Sequence, residues 1–428
     1  MDDFEVMADE ESIKATMGKK VLFSRLDRTL KTPMNFFLDE VEQQISSTFT
    51  VYWVENGPPE VFCLRGEART LIVFSERYLE LVGFARHLMV DSYFSPGIRM
   101  EMAERTCLKL IAELALRQGD SEFAVLAFLK SIVGKGIYIP DTNTLLDLEL
   151  QPKNEAYMAT WFYGLAHELG HVAAQPMESV RSGLFSDEAI LSGIRIAFNH
   201  FPYPKAFREE ALTKASKQRS ESVLGIDNLR SEGLADIFAA SILLKSTYDF
   251  MNVVKSGPFR IEQFIAEMMI FLNIIVIIQR CRQVAQCTSQ STPSVEFVQE
   301  IGLHPVAACM RGLMVHEYLQ HSAARFIFNT ENVSQSQLKQ TNDLVNGINY
   351  SLRKAIEAID TGMGRAMRFA LFPETRERQL LEQFTHEISC RNAPLSILSI
   401  SEAQQFCNLA DVLKVDGEGL KALRTITG

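Results

Sequence analysis

The pentapeptide His167-Glu168-Leu169-Gly170-His171 constrains this chain more than any other feature. Residues i and i+4 of a helix lie on one face, so both imidazoles can reach a single point in space. Glu168 follows the first histidine, where its carboxylate can touch a water held at that point. This arrangement is the helical half of a zinc hydrolase site. Met158, Phe162, Leu165, Leu169 and Val172 recur at spacings of three and four. They predict a helix with an apolar stripe for the core and both histidines on another face. Gly170, a weak helix former, leaves room for a second element to approach closely.

The pair His-Glu recurs at His316 and His386, without the second histidine at the required offset. His321 follows His316 by five residues, which turns its ring away. Those pairs read as ordinary helix residues.

A zinc site of this kind needs a third protein ligand and one open position. The best candidate lies in the stretch Asn228 to Leu244, where Glu232 and Asp236 stand at i and i+4 on an otherwise apolar helix. Asp227 and Asn228 are candidate caps for its start. Two carboxylates on such a helix are costly to bury unless a positive or protonic partner meets them. A metal for Glu232 and an imidazole N–H for Asp236 would satisfy both. Exposure at an edge is the alternative.

H-E-x-x-H followed downstream by E-x-x-x-D resembles the gluzincin zinc metallopeptidases, the group that includes thermolysin. The resemblance implies His167, His171 and Glu232 as metal ligands for one Zn2+ per chain. It implies Glu168 as the general base and Asp236 as the partner that orients His167. The string from Glu232 to Leu244 is also similar to the third-ligand helix of ImmA/IrrE-like and HtpX-like peptidases. Glu232 lies 61 residues beyond His171, a longer gap than in thermolysin-like or ImmA/IrrE-like proteins.

The rest of the sequence bounds the reading. At 428 residues the chain can bury a large core, and its net charge of −10 argues against nucleic acid or an anionic membrane as partner. The acidic start at Met1 does not read as a signal peptide. Seven scattered cysteines without C-x-x-C pairs fit a reducing cytoplasm. The longest apolar run, Met268–Ile278, has eleven residues and contains Asn273. A membrane span needs about 20, so a buried helix is expected.

The expected fold class is α+β, mainly helical, with a zincin-like core of two zinc-binding helices and a small antiparallel sheet. Strand signals at 48–54, 61–64 and 70–74 predict an antiparallel meander. Helices are expected at about 76–92, 98–118, 121–133, 186–198, 206–217 and 305–328. Residues 137–140 and 145–150 read as a hairpin that either borders a cleft or is purely structural. Cys287–Pro293 reads as a linker, and the polar stretch 329–343 as a separator between helices. The division expected is an N-terminal α+β region over 1–133, a metallopeptidase core over 134–286 and a helical region over 287–428.

The function expected is zinc-dependent hydrolysis of a peptide bond in a protein or peptide substrate. The alternatives are a zinc-binding regulatory or sensor protein of ImmA/IrrE-like character, and a metal-free helical interaction protein. His316, Tyr318, His200 and Tyr203 form the shortlist for the donor that polarises the substrate carbonyl. Nothing in the sequence fixes an oligomeric state.

Overall fold

The computed structural model describes residues 11–14, 22–25, 33–45, 48–55, 57–65, 70–90, 94–132, 157–173, 185–254, 261–288, 294–328, 332–372 and 397–427, with 379, 382–383 and 385–386. The expected hairpin at 137–150, the first ten residues and most of the linker, 289–293, lie outside them. The described residues are mostly helical with one small mixed sheet, an α+β composition. Two compact units emerge, each drawn from three separated segments: 1–86, 146–276 and 302–353 in the first, 87–145, 277–301 and 354–428 in the second. The units are not consecutive in sequence, unlike the three regions expected above.

In the first unit, strands β1 (Leu22–Arg25), β2 (Phe49–Glu55), β3 (Val61–Arg65) and β4 (Thr70–Ser75) pair in the order β1-β2-β4-β3. The expected antiparallel meander is corrected: β2 and β4 run parallel, with Val51 opposite Ile72, while β3 pairs antiparallel to β4 at the end of the order. The cause is burial. All six residues of β4 are buried, as expected of a continuous apolar strand that needs neighbours on both sides. Half-buried Cys63 and Leu64 suit β3 to the edge.

Helix α1 (Pro33–Ile45) lies between β1 and β2; α2 (Glu76–Val90), α3 (Pro96–Arg117) and α4 (Ser121–Ile132) follow β4, close to the ranges expected. Then comes α5 (Tyr157–Ala173), which carries His167 and His171. Its surroundings amend the single-stripe expectation, because Phe162 to His167 and Leu169 to Gly170 are all buried. Phe162 stacks on Phe37 of α1 at 6.0 Å between ring centroids. Tyr163 packs at 4.8 Å against Phe271 of α9 (Ile261–Thr288). At Gly164 an added Cβ would lie 2.0 Å from the Tyr78 hydroxyl of α2. At Gly170 it would lie 2.7 Å from the Cα of Ala235, on α8 (Ile226–Val254). The close approach expected at Gly170 is therefore made by the backbone of the helix that bears Glu232.

The apolar run 268–278 sits inside α9 and is largely buried, as expected. Its Asn273 amide donates to the Met269 carbonyl at 2.8 Å, and the Arg86–Glu267 pair closes its start at 2.7 Å. Among the described residues, no helix is long and apolar enough to cross a membrane.

The insertion between the two site helices holds α6 (Asp187–Phe198), capped by Ser186, and α7 (Lys205–Lys217), both near their expected ranges. Phe185, Ile190, Ile194 and Phe198 share a core with Leu229 and Leu234 of α8 and with Met310 and Met314 of α10 (Val295–Phe328). Helix α10 begins ten residues before the expected start and runs through Pro305. Burial of Leu303, Val306 and Ala307 around that proline offsets a penalty of about 3 kcal/mol. Helix α11 (Gln335–Leu371) likewise starts inside the expected separator. Ser334 and Gln337 bond each other's ends there, 2.8 and 3.3 Å, in a capping box. The expected caps of α8 are not used as caps, because the helix already begins at Ile226 and Asp227 binds Arg219 at 2.8 Å and Arg230 at 2.6 Å.

Within the second unit, α12 (Ile397–Leu413) and α13 (Glu418–Thr427) pack together and against α3 and α4. Phe128 stacks on Phe406 at 4.4 Å, and Lys109 pairs with Glu402 at 2.6 Å.

The Gly170 contact yields a stability prediction. Ala is the better helix former, worth about 1 kcal/mol over Gly. Gly170→Ala should nonetheless destabilise the chain, by about 1–3 kcal/mol, because its methyl group meets helix backbone. Chemical denaturation would check this; an increase in stability would mean that α5 and α8 are not in contact there.

Candidate metal centre

Three helices of the first unit build the site. Helix α5 presents His167 and His171 one turn apart, and α8 presents Glu232 and Asp236 one turn apart. The two helices touch at Gly170 and Ala235, which brings the pairs face to face. The third helix, α10, supplies Arg311.

His167 Nε2 and His171 Nε2 are 3.1 Å apart. Glu232 Oε2 lies 3.3 Å from His167 Nε2, and Glu232 Oε1 lies 3.6 Å from His171 Nε2. A tetrahedral ion with ligands at about 2.0–2.1 Å separates its donors by about 3.3 Å. The three spacings straddle that value. Among the described residues, this is the one group of three or more His, Cys, Asp or Glu whose ligand atoms come this close, all within 4.8 Å. Glu232 Oε2 also lies 3.0 Å from Arg311 Nη1, but among the described residues no hydrogen-bond donor meets it in proper geometry. A buried carboxylate oxygen left in that state fits a missing cation.

Asp236 is wholly buried behind the triad. Its Oδ1 lies 2.9 Å from His167 Nδ1, so Nδ1–H donates to the carboxylate, and in the neutral ring the Nε2 lone pair faces His171 and Glu232. Arg311 donates to Asp236 twice, at 2.6 and 2.9 Å. The Tyr163 hydroxyl donates to the Asp236 backbone carbonyl at 3.1 Å. Ser231 Oγ stands 3.4 Å from His171 Nδ1.

These neighbours set the charges. Burial opposes a proton on His167, but the charge of Asp236, the hydrogen bond to it and the nearby Glu232 carboxylate outweigh burial and raise its pKa to about 9. Burial and the neighbouring His167 charge lower that of His171. Burial opposes ionisation of Glu232 and Asp236, yet Arg311 and His167 outweigh it, lowering the pKa of Asp236 and holding Glu232 well below the usual carboxylate range. Burial raises the pKa of Glu168, and the charges of Glu232 and Glu60 push the same way, against His167 and Arg311.

Glu168 makes no hydrogen bond or ion pair among the described residues. Cys63 on the edge strand and Tyr78 on α2 lie near enough for its charge to reinforce the effect of burial on their own ionisation. The Tyr78 hydroxyl is buried and has no hydrogen-bond partner among the described residues.

The four donor candidates are placed as follows. His200 is exposed at the end of α6. The Tyr203 hydroxyl donates to the Gly302 carbonyl at 2.6 Å, and its ring packs on Phe207 at 5.0 Å. His316 Nε2 meets Asn342 Oδ1 at 3.0 Å. Tyr318 is partly buried against the core shared by α6, α8 and α10, on the same helical face as Arg311 two turns earlier. Arg311 was not among the residues singled out from the sequence. Its signal was present: a lone cation inside the apolar stretch from Val306 to Val315 demands a buried anion.

No known family, curated protein or solved structure matches the chain. The site therefore rests on its own geometry.

A proton-linkage prediction follows from His167. With its pKa near 9, metal-free His167 carries a proton at pH 7.5, whereas a ligand imidazole must be neutral. Metal uptake at pH 7.5 should therefore release about one proton, falling toward zero above pH 10. The same raised pKa stabilises the metal-free fold below about pH 6.5, the unfolded value. That contribution is lost as pH rises through about 9. Calorimetric titration in two buffers of different ionisation enthalpy checks the release; none at pH 7.5 would contradict the assignment.

Proposed function

We propose that the chain is a zinc-dependent endopeptidase of gluzincin type acting on a protein or peptide substrate. The observation that carries this reading is the convergence of His167, His171 and Glu232 beside a half-buried Glu168 that has no other partner among the described residues. Two imidazoles and one carboxylate are a donor set suited to zinc with an open fourth position. When bound, zinc supplies a water of lowered pKa and polarises the scissile carbonyl.

The chain's own groups do the rest. His167 and His171 offer Nε2, and Glu232 offers a carboxylate oxygen. Asp236 holds the His167 ring in the tautomer that leaves Nε2 free. The Glu168 carboxylate takes a proton from the attacking water and passes it to the leaving amine nitrogen. A purely structural zinc has all four positions filled by protein. Three converging ligands with a carboxylate alongside support catalysis instead.

Two sets of variants test this. Elemental analysis should find about one zinc per chain, lost in His171→Ala. Asp236→Ala should keep some zinc at about 10–100-fold lower affinity. Glu168→Gln should fold and bind zinc like the wild type yet cleave no protein, folded or unfolded, that the wild type cleaves. If Glu168→Gln retains activity, Glu168 is not the base. If wild type loaded with zinc cleaves nothing, a binding or sensing role for the metal replaces catalysis.

A further inference from the structure

We infer that the metal site stands assembled before its metal arrives, and that Arg311 is the positioning residue that assembles it. The inference rests on the metal-site reading above and extends it to the control of occupancy. A single guanidinium serves two carboxylates one helical turn apart. Nε and Nη2 take Asp236 at 2.6 and 2.9 Å, and Nη1 lies 3.0 Å from Glu232 Oε2. The Arg311 side chain is only 5% exposed, so this charge is committed to the interior.

Buried carboxylates need a compensating charge. Where the metal alone supplies it, the metal-free chain unfolds, and chelators act as denaturants. Here a covalently held cation is already in place. It pairs with Glu232 and Asp236 of α8, and its charge reaches Tyr163, His167 and Glu168 of α5. Its planar fork matches the bidentate bond to Asp236, which a lysine ammonium cannot reproduce. Asp236 is thereby fixed against His167 Nδ1 with no ion required, and the Arg311 charge holds Glu232 beside the two imidazoles while its Oε2 stays open to a metal. The chain can thus lose and regain its metal without unfolding. Metal supply, rather than folding, switches the site.

The test uses the full chain, chelated and zinc-loaded, as wild type, Arg311→Met, Arg311→Lys and the double variant Arg311→Met/Asp236→Asn. Thermal unfolding by circular dichroism gives Tm, and elemental analysis gives zinc content. Chelated wild type should keep its helical spectrum and take up zinc again. Chelated Arg311→Met should lose roughly 10 °C of Tm. Zinc should then raise the Tm of Arg311→Met by about 5 °C more than it raises that of wild type, because the ion replaces the missing charge. Arg311→Lys should fall between the two. The double variant should lose less than Arg311→Met, since one stranded carboxylate is gone. Should Arg311→Met fail to fold when chelated, Arg311→Lys carries the same comparison.

A packing role alone would give equal losses with and without zinc, and a lysine no better than a methionine. That result, or a chelated wild type that unfolds, would overturn the inference while leaving the zinc site intact. A wild type that takes up no zinc would overturn both.

Discussion

The first unit depends on one buried carboxylate. Asp236 has no contact with solvent, and an ion so enclosed costs several kcal/mol unless its charge is answered. The answers come from two other helices: His167 on α5 and Arg311 on α10. Three helices are thus tied at one point by directional bonds, where apolar packing alone would tolerate sliding and rotation. Glu232, one turn before Asp236, inherits its place from the same constraint. The triad is a consequence of how Asp236 is satisfied.

Small residues make that tie possible. Gly170 lets the backbones of α5 and α8 meet, and Gly164 admits the Tyr78 hydroxyl one turn before Glu168. Phe37 and Phe271 close the other sides of α5. The ion pairs of Asp187 and Asp227 with Arg219 and Arg230 anchor the long insertion to the start of α8. The insertion thus joins the shared core of α6, α8 and α10, while His167, His171, Glu232 and Asp236 keep their places on α5 and α8.

Much of this was legible in the residues. The i, i+4 spacing put His167 with His171 and Glu232 with Asp236, and the expense of burying two carboxylates predicted partners for both. Ser186 marked the start of α6, and the length of the 268–278 run marked a buried helix. Strand pairing was not legible, because order in a sheet depends on which strand needs covering on both sides, a tertiary property. β4 won the central place through full burial, against the simpler meander. Two helix starts are not legible from single residues. Pro305 reads as a boundary, yet apolar residues flank it on both sides and the helix runs through it. The Ser334 to Gln337 capping box was hidden inside a polar stretch. Arg311 is legible by the same physics as Asp236: a buried charge on an apolar helix requires a buried partner of opposite sign.

In the function proposed, two imidazoles and one carboxylate meet on a single ion. X-ray absorption at the zinc edge, on the full chain loaded with one equivalent of zinc, tests it most directly. The account predicts a first shell of nitrogen and oxygen at about 2.0–2.2 Å, with the outer scattering of two imidazole rings. That signal should drop to one ring in His171→Ala if any zinc remains. A shell containing sulfur at about 2.3 Å, or six oxygens without imidazole, would contradict it.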